Sequence, residues 1–329
     1  MTDIIIKVEN LVKRFALTKG IWESLVHMGQ IKYVRAVDDV SFEIRRHDVL
    51  GLAGETGSGK TTLARLILKV MQPTSGRIFF EGHDISDMNK GEEKIFRREV
   101  QMILQDPFAS LNPRKNVFDI VSTSMRVQRW GSKSERRERV AQLLNKVGLT
   151  PPEEVMEKCP HEFSGGQRQR IGIARALAST PKLIVADEPV SSLDASVQAQ
   201  ILNLMSELKQ EFGMTYFLIA HDLAVIRHMS DTVAVMYLGK LCELAPREGL
   251  FKSPLHPYTK ALIASVPVPD PDFKRETVNV RGEMPSLINV LLGCRFHPRC
   301  PFARKICYSE TPKMIEVGKG HFVACHLFV

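Results

Sequence analysis

The residues with the clearest chemical potential form a glycine-rich stretch between positions 54 and 62. It reads Gly54-Glu55-Thr56-Gly57-Ser58-Gly59-Lys60-Thr61-Thr62, which fits the GxxxxGK[ST] pattern of a phosphate-binding loop. Glycines let such a loop wrap around a polyphosphate with successive backbone N–H groups facing the anion. In this pattern Lys60 carries positive charge toward the β- and γ-phosphates, and Thr61 offers a hydroxyl to Mg²⁺. We therefore expect the stretch to bind a nucleoside triphosphate.

Two elements must position this loop. Residues 48–53 form an apolar run that indicates a buried strand, and residues 63–68 have the apolar spacing of a helix packed on a sheet. A strand before the loop and a helix after it are the context that makes the pattern specific. A glycine-rich turn without a ligand would not require the Lys-Thr pair or this context.

Acidic residues end a second apolar run. Asp187 and Glu188 follow residues 182–186, which are predicted to form a buried strand. In phosphate-loop enzymes an acid at this position holds Mg²⁺, and a neighbouring acid can polarise the attacking water. His221 follows the predicted strand 214–220 in the same way. A structural cap is the alternative to a catalytic role for this histidine.

A second glycine-bearing turn opens a helix at Ser164-Gly165-Gly166-Gln167. A helix start offers unpaired N–H groups and a positive dipole end to an anion. Ser164 is also a good N-cap, which is the structural alternative. Because one domain rarely needs two phosphate cradles for one nucleotide, the second turn could serve a nucleotide held by another copy or a paralogue.

The composition is that of a globular protein of about two domains. The chain has 329 residues, of which 44% are hydrophobic and 25% are charged. No apolar run approaches the ~20 residues that span a bilayer, and no signal peptide is visible at the start, so we expect a cytosolic chain. The net charge is +8, but the basic residues are spread, and the cluster 133–139 alternates with Glu135 and Glu138. We therefore expect no direct binding to nucleic acid.

Several other segments have a recognisable character. Residues 106–180 are largely helical and charged, and strands alternate with helices from 182 to 237, as in βαβ units. Residues 36–44 alternate like an edge strand of an antiparallel sheet. The insertion 16–32 has a possible apolar helical face for a membrane or a partner, or it is a loop packed on its own domain. Closely spaced prolines between 254 and 271 indicate a linker.

Four cysteines crowd the end of the chain at positions 294, 300, 307 and 325. In a cytosolic chain this pattern indicates a metal site before a disulfide. Four thiolates suit an iron–sulfur cluster or zinc, and the lack of CxxC pairs favours the cluster. Reduced, unligated thiols are the alternative. His297 and His326 lie close by in sequence; either could be a zinc ligand, but the favoured interpretation is that they are bystanders.

Taken together, these stretches resemble the ATP-binding subunit of an ABC transporter over about residues 4–250. The phosphate loop, the signature around Phe163-to-Gln167, the two acids, the Ser192-Leu193-Asp194 loop and His221 stand in the order typical of that family. The resemblance implies an α/β P-loop NTPase cassette. This fold has a mixed sheet, an antiparallel β edge and an inserted helical subdomain, here followed by a small Cys-rich module.

The resemblance also implies roles for single residues. Phe15 would stack on adenine, with Tyr33 as the other candidate, and Asp194 would lie at the nucleotide. Gln105 would sense Mg²⁺ and the attacking water, and it would couple to the membrane subunit. Asp187 would bind Mg²⁺ through water, Glu188 would be the catalytic base, and His221 would contact the γ-phosphate. The signature residues Ser164, Gly165, Gly166 and Gln167 would close on ATP held by the opposing subunit.

A narrower resemblance covers nearly the whole chain. Four stretches are similar to the dipeptide and oligopeptide importer ATPases, namely 105–114, 160–163, 197–200 and His256-Pro257-Tyr258-Thr259-Lys260-Ala261-Leu262. The run 167–175 resembles the F-type subunit of that group rather than the D-type. Nickel and sugar-oligomer importers share these features, and a soluble ABC ATPase outside transport is the alternative from another class.

This narrower resemblance implies an assembly and a domain division. The chain would pair with a D-type ATPase paralogue below two transmembrane permease subunits, which receive cargo from a substrate-binding protein. It would lie at the cytoplasmic face of the membrane. Residues 1–250 would form the nucleotide-binding domain, with its helical signature subdomain at about 106–180. Residues 251–329 would form an extension in which Cys294, Cys300, Cys307 and Cys325 hold a [4Fe–4S] cluster, or Zn²⁺.

Overall fold

The computed structural model of the protein describes residues 3–17, 33–106, 111–266, 280, 282, 285–288 and 291–329. The strands in these residues are β1 (Ile4–Ala16), β2 (Tyr33–Arg45), β3 (Val49–Ala53), β4 (Ser75–Phe80), β5 (His83–Asp84), β6 (Val100–Ile103), β7 (Leu183–Asp187), β8 (Thr215–Ile219), β9 (Thr232–Tyr237), β10 (Lys240–Pro246), β11 (Ile315–Gly318) and β12 (His321–Val323). The α-helices are α1 (Lys60–Ile67), α2 (Lys90–Glu99), α3 (Val117–Val121), α4 (Thr123–Val127), α5 (Lys133–Lys146), α6 (Pro152–Glu157), α7 (Gly165–Leu177), α8 (Ala195–Phe212), α9 (Leu223–Met229), α10 (Arg247–Lys252), α11 (Pro257–Ala264) and α12 (Ile306–Ser309). None of these helices is long and apolar enough to cross a membrane.

The chain divides into two compact units. The first contains Ile44–Val49 and Asp87–Ala220 together with the start of β1. The second contains Ile6–Glu43, Leu50–Ser86 and His221–Val329. The phosphate loop and the C-terminal extension therefore belong to the same unit, whereas the predicted acids and the signature turn belong to the other.

Three parallel strands form the core of the first unit, in the order β8, β7, β6. Leu183 of β7 pairs with Val100 on one side and with Thr215 on the other. Every residue of β7 and β8 is buried, as the continuous apolar runs of a parallel sheet predict. The strand β7 ends at Asp187, so it delivers this acid to the carboxyl edge of the sheet.

Helices occupy much of the stretch between β6 and β7 in this unit, as its charged, strand-poor sequence predicted. The helices α3, α5 and α6 contact one another, and α3 and α5 also contact α7. Aliphatic side chains line these contacts, among them Val140, Leu143 and Leu144 of α5. Because α7 also contacts β6 and α8, it joins the helices to the sheet.

An antiparallel sheet in the order β2, β1, β4, β5 forms one part of the second unit. Residues Ile6 and Val8 of β1 pair with Phe80 and Ile78 of β4. The strand β2 lies at the edge and alternates buried with exposed residues over its second half. The prediction of an edge strand at 36–44 is therefore confirmed.

The other part of the second unit is built on β9. This strand pairs in parallel with β3 and antiparallel with β10, and β10 in turn pairs with β12 near the end of the chain. The strand β11 completes this edge by pairing with β12. The C-terminal segment thus extends, through β10 and β9, the sheet of the strand that carries the phosphate loop.

The proline-rich stretch and the insertion 16–32 were predicted to be a linker and an apolar helical face. The linker predicted for the proline-rich stretch is wrong at Pro257–Ala264, because these residues form α11, in which Pro257, Tyr258 and Thr259 are buried. Residues 267–279 lie outside the described part of the chain. The apolar helical face predicted in the insertion 16–32 also falls almost entirely outside it, since residues 18–32 are not described.

Candidate functional site

The phosphate loop joins the buried strand β3 to the helix α1. Gly54 has φ +152° and Gly59 has φ +108°, both of which L side chains rarely adopt. A Cβ at Gly59 would lie 2.1 Å from the carbonyl oxygen of Ala36, and one at Gly54 would lie 2.3 Å from that of Met236. The loop therefore needs glycine at both positions. Helix α1 begins directly afterwards at Lys60.

The side chain of Lys60 is buried inside the loop. Its Nζ donates to the carbonyl oxygen of Gly54 at 2.6 Å and to that of Glu55 at 3.0 Å. Thr61 follows at the exposed start of α1, and Thr62 is half-buried. The positive charge of Lys60 and the N–H groups at the start of α1 suit the binding of a polyphosphate anion. The Thr61 hydroxyl suits Mg²⁺, which prefers oxygen ligands.

In the first unit, Glu188 follows the buried Asp187 at the end of β7. Its backbone turns sharply, with φ +49°, which is uncommon for a residue other than glycine. Its N–H donates to the carbonyl oxygen of Ile219 at 2.9 Å, which ties the turn to the end of β8. The strained turn therefore separates two adjacent carboxylates, one buried at the strand end and one half-buried beyond it.

Gln105 meets this second carboxylate. Its Nε2 donates to Oε2 of Glu188 at 2.9 Å, across 83 positions of sequence. The carbonyl oxygen of Gln105 also accepts a bond from the hydroxyl of Ser192 at 3.4 Å. The amide thus fixes the orientation of the Glu188 carboxylate.

The turn at Ser164-Gly165-Gly166-Gln167 begins α7 with a capping box. The Ser164 hydroxyl accepts from the N–H of Gln167 at 3.4 Å, and Oε1 of Gln167 accepts from the N–H of Ser164 at 3.0 Å. Gly166 packs against α8, because a Cβ there would lie 2.6 Å from Cγ1 of Val197. The capping role of Ser164 is therefore present in this chain.

Four further candidate residues lie at or near the surface. Asp194 is exposed at the start of α8, where its side chain makes no capping bond. His221 is exposed and precedes Asp222, whose carboxylate accepts from the N–H of Ala224 and caps α9. Phe15 is half-buried with the ammonium of Lys13 at 5.3 Å from its ring, and Tyr33 is 45% exposed.

The C-terminal extension reaches the phosphate loop at its second residue. The hydroxyl of Tyr258 accepts a hydrogen bond from the N–H of Glu55 at 2.9 Å. Nη1 of Arg299 donates to both carboxylate oxygens of Glu55, at 3.0 and 3.1 Å. Burial raises the pKa of Tyr258 well above its ordinary value, so this hydroxyl stays protonated.

The four C-terminal cysteines lie near one another in the same unit. Burial raises the pKa of the Cys294 thiol to about 12, and the neighbouring Cys307, Cys325 and Cys300 thiols add to the rise. The N–H of Cys294 donates to the carbonyl oxygen of Cys307 at 2.8 Å. Within the described residues, however, no three His, Cys, Asp or Glu side chains lie together as metal ligands. The donor chemistry fits a thiolate-bound metal, whereas the side-chain positions do not.

Comparison with known proteins identifies the family of this chain. The ABC transporter family model matches residues 37–191, and the model of the oligopeptide/dipeptide transporter C-terminal region matches 242–307. The oligopeptide transport ATP-binding protein AppF of Bacillus subtilis is 48% identical over 329 residues, which cover 99% of this chain and 98% of the relative. A probable peptide ABC transporter ATP-binding protein, y4tS of Sinorhizobium fredii, is 48% identical over 327 residues, 99% of this chain and 91% of the relative. The chain belongs to the ABC transporter ATP-binding proteins of the peptide and oligopeptide group.

Solved structures agree on the ABC cassette. The dimeric ATP-binding cassette MJ0796, bound to ADP and phosphate, aligns with a TM-score of 0.63 and 27% identity, covering 74% of this chain and 99% of that chain. The cbiO1 protein of Clostridium perfringens, part of the cbiONQ complex, aligns with a TM-score of 0.64 and 28% identity, covering 77% and 92%. The predicted α/β P-loop cassette with a mixed sheet is therefore confirmed for this ABC protein.

The sequence indicated some of the residues that the structure brings into contact within each unit, and it missed others. It named Gln105 and Glu188 separately, and the structure joins them by a hydrogen bond. It did not indicate that Tyr258 and Arg299 hold Glu55. A signal existed only for Tyr258, in the His256-to-Leu262 motif, whereas nothing in the local sequence marks Arg299.

Proposed function

We propose that this ABC protein is the ATP-hydrolysing subunit of a peptide importer, in which ATP binding and hydrolysis drive uptake of di- or oligopeptides. The observation that carries the hydrolytic role is the hydrogen bond from Gln105 to Glu188. It orients a carboxylate just beyond the end of β7, in a chain that also contains an intact phosphate loop. The two relatives named above, which carry peptide and oligopeptide transport in their names, support the cargo class.

Each group has a defined task in this proposal. The loop N–H groups and Lys60 bind the phosphates and stabilise the charge that develops on the γ-phosphoryl group. Mg²⁺, held by Thr61, Gln105 and, through water, Asp187, would neutralise phosphate charge. Glu188, oriented by Gln105, accepts the proton of the attacking water. His221 contacts the γ-phosphate.

Adenine would stack on an aromatic side chain near the start of the chain. Phe15 is our first choice, with Tyr33 as the other candidate. Asp194 would lie at the nucleotide. The residues Ser164 to Gln167 would complete the ATP site of an opposing ATPase subunit. Their position at the start of a helix supports this role, because helix N-termini favour anions. ATP would then hold two ATPase subunits together until hydrolysis releases them.

The substitution E188Q tests the hydrolytic role. The amide keeps the shape of the carboxylate but cannot accept the proton, so we expect kcat to fall at least about 100-fold. The affinity for ATP should change by less than about twofold, because the phosphate loop is intact. The measurement is phosphate release under saturating Mg-ATP, together with equilibrium binding of a fluorescent ATP analogue.

The matched control is E154Q, which makes the same chemical change at an exposed position on α6. It should hydrolyse ATP at the wild-type rate. Wild-type turnover in the E188Q variant would refute the assignment of the base, and loss of ATP binding in that variant would refute the separation of binding from hydrolysis.

The assembly is part of the same proposal. The chain would act as the F-type subunit, paired with a D-type paralogue under two permeases served by a substrate-binding protein, at the cytoplasmic face of the membrane. Support comes from the run Gln167-to-Arg175 and from the printed name of AppF, which is 48% identical. Nickel or sugar oligomers as cargo, and a role outside transport, are the alternatives that reconstitution distinguishes.

We also propose Cys294, Cys300, Cys307 and Cys325 as ligands of a [4Fe–4S] cluster, with Zn²⁺ as the alternative. The hydrogen bond from the N–H of Cys294 to the carbonyl oxygen of Cys307, at 2.8 Å, supports the proximity of these two residues. Their described positions would have to close up to bind metal, because no three ligands now lie together in the described part of the chain.

Anaerobic purification with the permeases and the partner ATPase tests both the assembly and the cluster. We expect a complex that contains two integral membrane proteins, with about four iron and four sulfide per chain. Zinc at one per chain would replace the cluster by a zinc site, and absence of both metals would refute metal binding. Recovery with ribosomes or DNA in place of membrane proteins would refute transport.

A further inference from the structure

The peptide group between Gly54 and Glu55 is held from both sides. Its carbonyl oxygen, which belongs to Gly54, accepts from Nζ of Lys60 at 2.6 Å. Its N–H, which belongs to Glu55, donates to the hydroxyl of Tyr258 at 2.9 Å. Because a peptide group is planar, a partner that fixes the N–H also fixes the direction of the carbonyl. The Tyr258 hydroxyl therefore sets the orientation of the oxygen that Lys60 contacts.

The rest of Glu55 is also fully engaged. Its own carbonyl oxygen accepts from Nζ of Lys60 at 3.0 Å and from the N–H of Ser58 at 3.1 Å, which closes the loop on itself. Its carboxylate accepts from Nη1 of Arg299 at 3.0 and 3.1 Å. Residue 55 thus connects the extension, through Tyr258 and Arg299, with the ammonium group at the centre of the loop.

Tyr258 is a rigid anchor. It is 1% exposed, and its ring lies 4.6 Å from that of Tyr237 and 5.4 Å from that of Phe296, measured between centroids. Its N–H donates to Nδ1 of His256 at 3.1 Å, which fixes the start of α11. A hydroxyl on a ring packed in this way cannot follow a displaced loop, so the loop must conform to the ring.

The segment before Tyr258 is tied down by a buried acid. Glu243, which is fully buried in β10, accepts from the N–H of Leu255 at 2.8 Å and from that of His256 at 2.9 Å. Its Oε1 also lies 2.7 Å from Nε2 of His321 in β12. The His256-Pro257-Tyr258 motif is therefore a device that places one hydroxyl at the phosphate loop.

Arg299 is also fixed in position, by its contacts with Tyr237. Its side chain is 13% exposed, its guanidinium lies 5.8 Å from the ring centre of Tyr237, and Nη1 is 3.5 Å from the hydroxyl of that tyrosine. The Glu55 side chain is 32% exposed, so the ion pair is only partly shielded from solvent. Loss of the Glu55 carboxylate leaves the guanidinium with little solvent beside the loop, and loss of the arginine leaves the carboxylate without the group that fixes its position.

We propose that Tyr258 and Arg299 are positioning residues for the phosphate loop, through which the C-terminal extension sets the affinity of this subunit for ATP. The proposal rests on the ATP-binding role proposed above. The two residues touch no reacting atom; they act by fixing the peptide and the carboxylate of Glu55, and thereby the arrangement of Lys60.

The first test is the substitution Y258F, which keeps the packed ring and removes only the hydroxyl. The N–H of Glu55 then lacks its partner, and we expect Mg-ATP to bind about 5- to 10-fold more weakly. The matched control is Y216F, which removes another buried tyrosine hydroxyl, in β8, for which the described part of the chain offers no hydrogen-bond partner. It should bind Mg-ATP as the wild type does. The readout is equilibrium binding of a fluorescent ATP analogue to the full chain.

The second test is a double-mutant cycle on the ion pair. The variants R299Q and E55Q should each weaken ATP binding about 5- to 10-fold, and the double variant should be no weaker than either single one, because the two residues act as a pair. The conservative variant R299K keeps a positive donor and should recover part of the affinity. A merely structural role predicts lower melting temperatures with unchanged ATP affinity, so melting without nucleotide is measured in parallel.

The behaviour of the variants distinguishes failure of the positioning role from failure of ATP binding at the phosphate loop. The variant K60A should lose ATP binding in either case; if it binds as well as the wild type, the phosphate-loop assignment itself fails. If K60A loses binding while Y258F and R299Q bind ATP like the wild type, the positioning role alone is overturned. Equal weakening in Y258F and Y216F also overturns it, because the effect would then not come from the loop contact.

Discussion

Two glycines of the signature helix α7 differ in what a side chain at each position would meet. A Cβ at Gly166 would lie 2.6 Å from Cγ1 of Val197, which no real Cβ tolerates without a shift. At Gly172 the added Cβ would have no atom of the described residues within 4 Å, although the glycine is buried. The first glycine is required by the close approach of α7 and α8, and the second is not.

We therefore expect alanine to have opposite effects at these positions. The variant G172A should raise the free energy of unfolding by about 0.5–1 kcal/mol, since alanine is the better helix former. The variant G166A should lower it by about 1–3 kcal/mol through overpacking against Val197. Urea denaturation followed by circular dichroism measures both, and the added substitution V197A should restore part of the loss. A shift in the same direction for both glycines would contradict this account.

Single residues were predictable where their chemistry is written in neighbouring positions. The phosphate loop follows from its glycine spacing and the Lys-Thr pair, and the acids Asp187 and Glu188 follow from their place at the end of an apolar run. The contacts of Glu55 were not predictable, because Tyr258 and Arg299 lie 203 and 244 positions further along the chain. Only the fold brings such residues together.

Among the elements, the buried parallel strands were the easiest to predict. The strands β3, β7 and β8 are continuous apolar runs, and each is buried along its whole length. The strand β10 was not predicted, because it contains the acid Glu243 at a fully buried position. Its pairing with β9 also shifts register between Leu241 and Glu243. A buried carboxylate breaks the apolar pattern, and the N–H groups that satisfy it come from a later segment.

The helix α11 was mistaken for a linker for a related reason. Closely spaced prolines usually interrupt regular structure, but Pro257 takes the first position of a helix, where its missing N–H costs nothing. His256 provides the N-cap through its ring nitrogen, which is an unusual capping group. Pro257 therefore starts a helix, and the spacing of prolines in the sequence does not distinguish a helix start from a linker.

At the scale of the whole chain, the second unit combines the phosphate loop with the C-terminal extension. The predicted division at residue 250 treats the extension as a separate module. Within the second unit, however, β12 pairs with β10, and Phe296 packs against Tyr237 with 5.3 Å between ring centroids. The extension therefore supplies part of the core and one strand neighbour of the unit that holds the loop.

Removal of the extension should consequently destabilise the phosphate-loop unit. A chain that ends at residue 250 exposes the edge of β10 and leaves Glu243 without its three partners, Leu255, His256 and His321. A buried carboxylate without partners costs several kcal/mol, so the melting temperature should fall by about 10 °C or more, with aggregation through the open edge. Calorimetry of the 1–250 chain measures this against the full chain.

A chain that lacks only Val329, which is 80% exposed, is the control and should melt as the full chain does. If the 1–250 chain melts within about 2 °C of the full chain, which corresponds to less than about 1 kcal/mol, the extension is an independent module and the division at residue 250 is also a boundary of folding.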